Sequence, residues 1–122
     1  MAHILSVSYD ETLLRSREML LEHQGYSVLS SLGFTESLEQ CASHNFDLFI
    51  LGHSIPLSDK QMLVDTFRKH CSAPIIALRR NAFEGPIRGV DHHIEPDPEV
   101  LLSLAARILQ QNDAAREVAK TG

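Results

Sequence analysis

"DLFILGHSIPLSD", residues 47–59, is the stretch whose reading decides the fold. After Asp47 the chain is continuously apolar to Leu51, as a parallel strand covered on both faces requires. Gly52 ends the run, the polar step His53-Ser54 follows, and Ile55-Pro56 opens a turn. In a parallel sheet with helices on both faces, chemistry gathers at the carboxyl ends of the strands. Gly52 therefore stands where a functional side chain is expected, and it brings none.

The flanking segments alternate in the same way. "HILSV" (3–7) reads as a strand, and Ser8 or Asp10 as the cap of the helix that follows. In that helix Leu13, Leu14, Arg17, Leu20 and Leu21 fall at helical spacing, with Leu13, Leu20 and Leu21 on one face. Gly25 stops it, because glycine tolerates the left-handed cap conformation. "YSVLSS" is a second strand. A helix over 35–43 directs Phe34, Leu38 and Cys41/Ala42 inward. The third strand is 47–51. A helix over 58–70 directs Met62, Leu63, Phe67 and Thr66 inward. "APIIAL" (73–78) is a fourth strand, with Pro74 tolerable at its start. The segment 79–91 holds Gly85-Pro86, which breaks a helix, so one turn at most fits around 81–84. "VDHHI" is a fifth strand. Asp97, Pro98 and Glu99 then form a strong helix start. The tail 111–122 has almost no apolar face and is expected to be a helix extension or linker, leaving 1–110 as the single domain.

The chain has 122 residues, enough for one core, and a 43% hydrophobic fraction. A formal net charge of -5 argues against nucleic-acid or membrane-surface binding. No run approaches a membrane span, and "MAHILSVSYDE" has neither a basic leader nor a signal-length apolar run. A cytoplasmic setting is expected. Cys41 and Cys71 form no CxxC unit and read as free thiols. The phosphate-cradling glycine motifs are absent.

Strand-end geometry singles out Ser8-Tyr9-Asp10, Gly52-His53-Ser54, Arg79-Arg80 and Glu95-Pro96. With this order, "GYSV", "DLFILGHSIPLSD", "PIIAL" and "GVDHHIEP" together resemble the response-regulator receiver domain over about residues 3–110. The resemblance implies a flavodoxin-like three-layer α/β sandwich. It has a five-stranded parallel sheet of order 2-1-3-4-5, here with a shortened or missing fourth helix. It also implies which positions matter. The family's phosphoacceptor aspartate falls on Gly52, and its magnesium-holding acids fall on Ser8 and Tyr9. The switch hydroxyl falls on Arg79, the strand-five aromatic on His93, and the lysine before proline on Glu95. The glycine after the Pro-x-x-Asp turn falls on Lys60, while Pro56 and Asp59 are retained.

Aspartyl phosphorylation needs a carboxylate nucleophile and a divalent cation. Gly52, Ser8 and Tyr9 supply neither. The expectation is a non-phosphorylatable pseudo-receiver, not an enzyme, without cofactor or metal. It would act in bacterial-type signalling on a protein partner, with a homodimer as one arrangement. An Arg79–Glu95 ion pair across the pocket is expected to fix one conformation. The alternative is a small-anion or nucleotide sensor using Ser8, His53, Ser54, Arg79 and Arg80. Three weaker readings remain: a metal held by His53 with His92 or His93, phosphorylation on His53 or Ser54, and an enzyme using an unrecognised nucleophile. His23, His44 and His70 fall at helix ends and carry no assigned role.

Overall fold

The computed structural model describes residues 2–43 and 45–121, with Ser43 and residues 112–121 described by their backbone alone. Met1, His44 and Gly122 lie outside the described residues. The strands are β1 (His3–Ser8), β2 (Ser27–Leu32), β3 (Leu48–Leu51), β4 (Ile75–Leu78) and β5 (His92–Ile94). The helices are α1 (Glu11–His23), α2 (Phe34–Ser43), α3 (Leu57–His70) and α4 (Pro98–Thr121). All pairings are parallel, in the order β2-β1-β3-β4-β5.

The alternation of side chains along each strand builds two cores, one on each face of the sheet. Leu5, Val7, Phe49, Leu51 and Ile75 pack with Cys41 of α2 and Leu63, Val64 and Phe67 of α3. On the other face Ile4, Leu48, Ile50, Ile76 and Leu78 pack with Leu21 of α1 and Leu101, Leu104, Ala105 and Ile108 of α4. β3 and β4 are buried along their whole length because both faces are covered.

Local chemistry sets the element ends. Asp10 has extended backbone, and its carboxylate accepts from the Leu13 amide at 3.1 Å, capping α1. Asp10→Ala is expected to cost about 1 kcal/mol, read as a lower urea midpoint with an unchanged m-value. Gly25 closes the same helix at φ 95°. Asp97 caps α4, accepting from the Glu99 and Val100 amides.

Between β4 and β5 no helix forms. Residues 79–91 run as bends and turns, including an Asn81–Glu84 turn closed by a backbone bond of 3.2 Å. The helix expected to be shortened or missing is therefore missing, and the last helix is α4.

Three inward expectations are corrected. Met62 is 51% exposed, because Lys60, Leu63, Val64 and Phe67 form the buried stripe of α3. Leu20 is 40% exposed, because α1 turns Leu14, Arg17 and Leu21 inward. Ala42 is also exposed, while Cys41 is fully buried. Cys41 and Cys71 are free thiols, and burial pushes the Cys41 pKa up to about 12. Among the described residues, no helix is long and apolar enough to cross a membrane.

Candidate functional site at the strand ends

The carboxyl ends of β1 and β3 lie side by side, since Val7 pairs with Leu51. Gly52 continues this pairing by donating its amide to the Val7 carbonyl at 2.8 Å. The approach is close. A Cβ at Gly52 would lie 3.0 Å from the Val7 oxygen and 3.3 Å from both Ser8 Cβ and Oγ. Ser8 is fully buried, and its hydroxyl is 3.4 Å from that of Ser54. It also bonds the Asp10 amide at 3.0 Å. The Ser54 hydroxyl accepts from the Tyr9 amide at 3.3 Å. Hydroxyls therefore fill this corner, and they satisfy one another and the local backbone.

Tyr9 reaches across to α3 and donates its phenol to Asp59 at 2.8 Å. Burial, then the hydrogen bond and negative charge of Asp59, holds the phenol pKa well above its ordinary value. The hydroxyl thus stays protonated and remains a donor.

A divalent cation does not fit these residues. Hard cations take oxygen ligands rich in carboxylate. Ser8, Tyr9 and Gly52 offer neutral oxygens. The two nearby carboxylates, Asp10 and Asp59, are already engaged, one as a helix cap and the other by Tyr9.

The strongest electrostatic feature is one that sequence reasoning missed. Lys60, on the first turn of α3, is fully buried. Its ammonium donates to the Leu78 carbonyl at 2.8 Å and to both Glu84 oxygens at 3.0 and 2.8 Å. The Glu84 side chain is 8% exposed and also accepts from the Arg80 amide at 3.0 Å. Burial raises the Glu84 pKa, but Lys60 and the Arg80 amide outweigh it, and the net shift is downward. The pair ties α3 to the end of β4 and to the loop that replaces a helix. The available signal was the position of Lys60 on the stripe continued by Leu63, Val64 and Phe67. Glu84 had no comparable signal.

The expected Arg79–Glu95 pair forms at 3.4 Å, but at the surface, with side chains 40% and 58% exposed. Such pairs contribute about 0–1 kcal/mol, so the tie at this end of the sheet is Lys60–Glu84. The five expected ligand residues separate in space. Ser8, Ser54 and Arg80 come together, with Arg80 donating to the Ser54 carbonyl at 3.0 Å. Arg79 turns to Glu95, and His53 lies beneath, towards α1 and α4.

His93 accepts from the Ile87 amide through Nε2 at 3.0 Å, which requires the neutral ring and anchors the loop. Desolvation and then Arg79 lower its pKa, while desolvation and then Arg17 and Lys60 lower that of His53. Both folded values lie below the ordinary 6.5. The neutral rings therefore contribute stability above 6.5, and this is lost as pH falls through the folded values. We expect a lower thermal midpoint in mildly acidic buffer than at neutrality, and a flatter profile for His93→Gln. Glu84 acts near and below 4.5, in a separate window.

No family model matches the chain. The chain is 30% identical over 123 aligned positions to the uncharacterized transcriptional regulatory protein YkoG of Bacillus subtilis, covering 94% of this chain and 54% of that protein. It is 31% identical over 78 positions to the response regulator ArlR of Staphylococcus aureus, covering 64% and 36%. The chain thus spans about half or less of the length of these curated relatives. Among solved structures, it resembles the N-terminal domain of a response regulator/sensory box/GGDEF protein from Carboxydothermus hydrogenoformans. That match has a TM-score of 0.76 at 16% identity, covering 93% of this chain and 98% of that one. It also resembles the response regulator TrrA of Thermotoga maritima bound to magnesium and beryllium fluoride, with a TM-score of 0.73 at 20% identity, covering 88% and 99%. At these identities the structural likenesses speak for the fold. Sheet order and four flanking helices define a flavodoxin-like α/β domain of the CheY-like kind. Together with the curated relatives, they support a response-regulator receiver domain of two-component signalling.

Proposed function

We propose that this receiver domain is non-phosphorylatable, is not an enzyme, and works as a protein-interaction module. The observation that carries the reading is Gly52, packed so closely against Val7 and Ser8 that a Cβ there meets the Val7 oxygen at 3.0 Å. Neither the nucleophile nor the cation of phosphoryl transfer has a place at this corner. The Lys60–Glu84 pair adds a buried tie between α3, the end of β4 and the loop 79–91. The loop 79–91 presents Phe83 at 95% exposure, and this is the surface we assign to a protein partner, with a homodimer as one arrangement. The net charge of -5 supports a partner other than nucleic acid. We assign the domain no cofactor, a cytoplasmic setting and residues 1–110, with 111–122 as helix extension or linker. The anion-sensing alternative has less support, because Arg79 and Arg80 are engaged with Glu95 and the Ser54 carbonyl rather than converging.

The test is intact-mass analysis after incubation with acetyl phosphate and magnesium. The expected result is an unmodified chain. A stoichiometric phosphoryl adduct that maps to residues 52–54 overturns the reading.

A further inference from the structure

On the α1/α4 face of the sheet lies a cavity of about 90 Å³, walled by leucines that include Leu13, Leu21, Leu101 and Leu102. Arg17 and His53 also line it. Arg17 is only 8% exposed, and one terminal guanidinium nitrogen, Nη1, is fully buried without a hydrogen-bond partner. None of the ion pairs among the described residues includes it. His53 Nδ1 is likewise buried without a partner. Asp97, at the rim, is committed to the Glu99 and Val100 amides. A buried cation without its anion is costly, because desolvation goes uncompensated, and a second orphaned polar atom beside it is costly for the same reason. We propose that this cavity binds a small monocarboxylate, its head on Arg17 and His53 and its apolar body among the leucines.

The details select this chemistry. A guanidinium pairs with a planar carboxylate through two parallel hydrogen bonds, and a neutral imidazole can donate one more. Desolvation and the Arg17 charge both lower the His53 pKa, which keeps the ring neutral. One cation therefore faces one anion. A phosphate would need more donors than these two side chains provide, and its dianion would sit against leucine. The volume is below the roughly 150 Å³ of a cavity that accepts benzene, which restricts the body to a short chain or small ring. The site is independent of the reading of Gly52, although His53 follows Gly52 directly in the chain.

The experiment uses the whole chain in thermal-shift and calorimetric titrations with propionate, butyrate and hexanoate. The uncharged hexanamide and inorganic phosphate are the comparison probes. Saturable stabilisation by at least one of the acids, with none from hexanamide, is expected. Arg17→Met keeps the unbranched apolar stem of the side chain and removes the unpaired charge. We expect it to fold with at least wild-type stability and to weaken acid binding by at least about tenfold. Equal response to hexanoate and hexanamide would overturn the proposal, as would binding retained in Arg17→Met, phosphate binding as tightly as the acids, or no response to any of the three acids. The amide comparison on the wild-type chain decides the matter even if the variant folds poorly.

Discussion

Lys60→Met should lower the unfolding free energy by about 3–5 kcal/mol, because it leaves Glu84 buried without its cation. Lys60 is fully buried and Glu84 is 8% exposed, so water cannot replace the lost partner. The substitution also removes the hydrogen bond that Lys60 donates to the Leu78 carbonyl at 2.8 Å. Lys60→Met with Glu84→Leu should recover most of the loss, since an apolar pair of similar volume is often neutral or better. Urea unfolding of the single and double variants measures this directly, and a strongly non-additive cycle is expected. The pH profile supplies a second reading. The folded pKa of Glu84 lies below 4.5, so its contribution is present above 4.5 and is lost as pH falls through the folded value. The double variant should lose that part of the acid-induced destabilisation. A Lys60→Met protein as stable as wild type would mean that the pair is not the tie at this end of the sheet.

Restoring an aspartate at Gly52 should not restore phosphorylation, and it should destabilise the chain. The new Cβ meets the Val7 oxygen at 3.0 Å and Ser8 at 3.3 Å. That oxygen belongs to the backbone of a central strand, which has little room to shift. Overpacking of this kind costs about 1–3 kcal/mol. The new carboxylate would also face Ser8 and Tyr9 rather than acidic cation ligands. Gly52→Asp incubated with acetyl phosphate and magnesium is expected to remain unmodified while its thermal midpoint falls. Tyr9 and Ser8 would have to change as well before a cation had ligands.

Most of the scaffold was legible because it rests on local chemistry. The unbroken run after Asp47 required a strand covered on both faces. Gly25, Asp10 and Asp97 marked helix ends by conformation and capping. Gly85-Pro86 excluded a helix between the last two strands. The identity of Gly52 could be read directly, but its tight packing against Val7 could not, since that depends on how two strands approach.

The site was less legible wherever partners are far apart in the chain. Lys60 lies on an apolar stripe, but a lysine there ordinarily extends its ammonium to water. Its inward turn depends on Glu84, 24 positions later in a loop without periodicity. Arg79 and Glu95 were placed correctly at adjacent strand ends and do meet. Their exposure, 40% and 58% of the side chains, decides how little the pair contributes, and it could not be read from their spacing. Arg17 was visible on the helical stripe of α1, while its lack of a counter-charge emerged only from the packing of α4.

The central claim is that the strand-end corner is closed to magnesium and a phosphoryl group. An amide NMR titration of the chain with magnesium and beryllofluoride tests it most directly. The account predicts no saturable shift at Ser8, Tyr9, Gly52 or Ser54, and no change around Lys60 and Glu84. A saturable shift centred on Gly52 that spreads to the loop 79–91 would contradict it, and would mean that the domain still binds a phosphoryl mimic and switches.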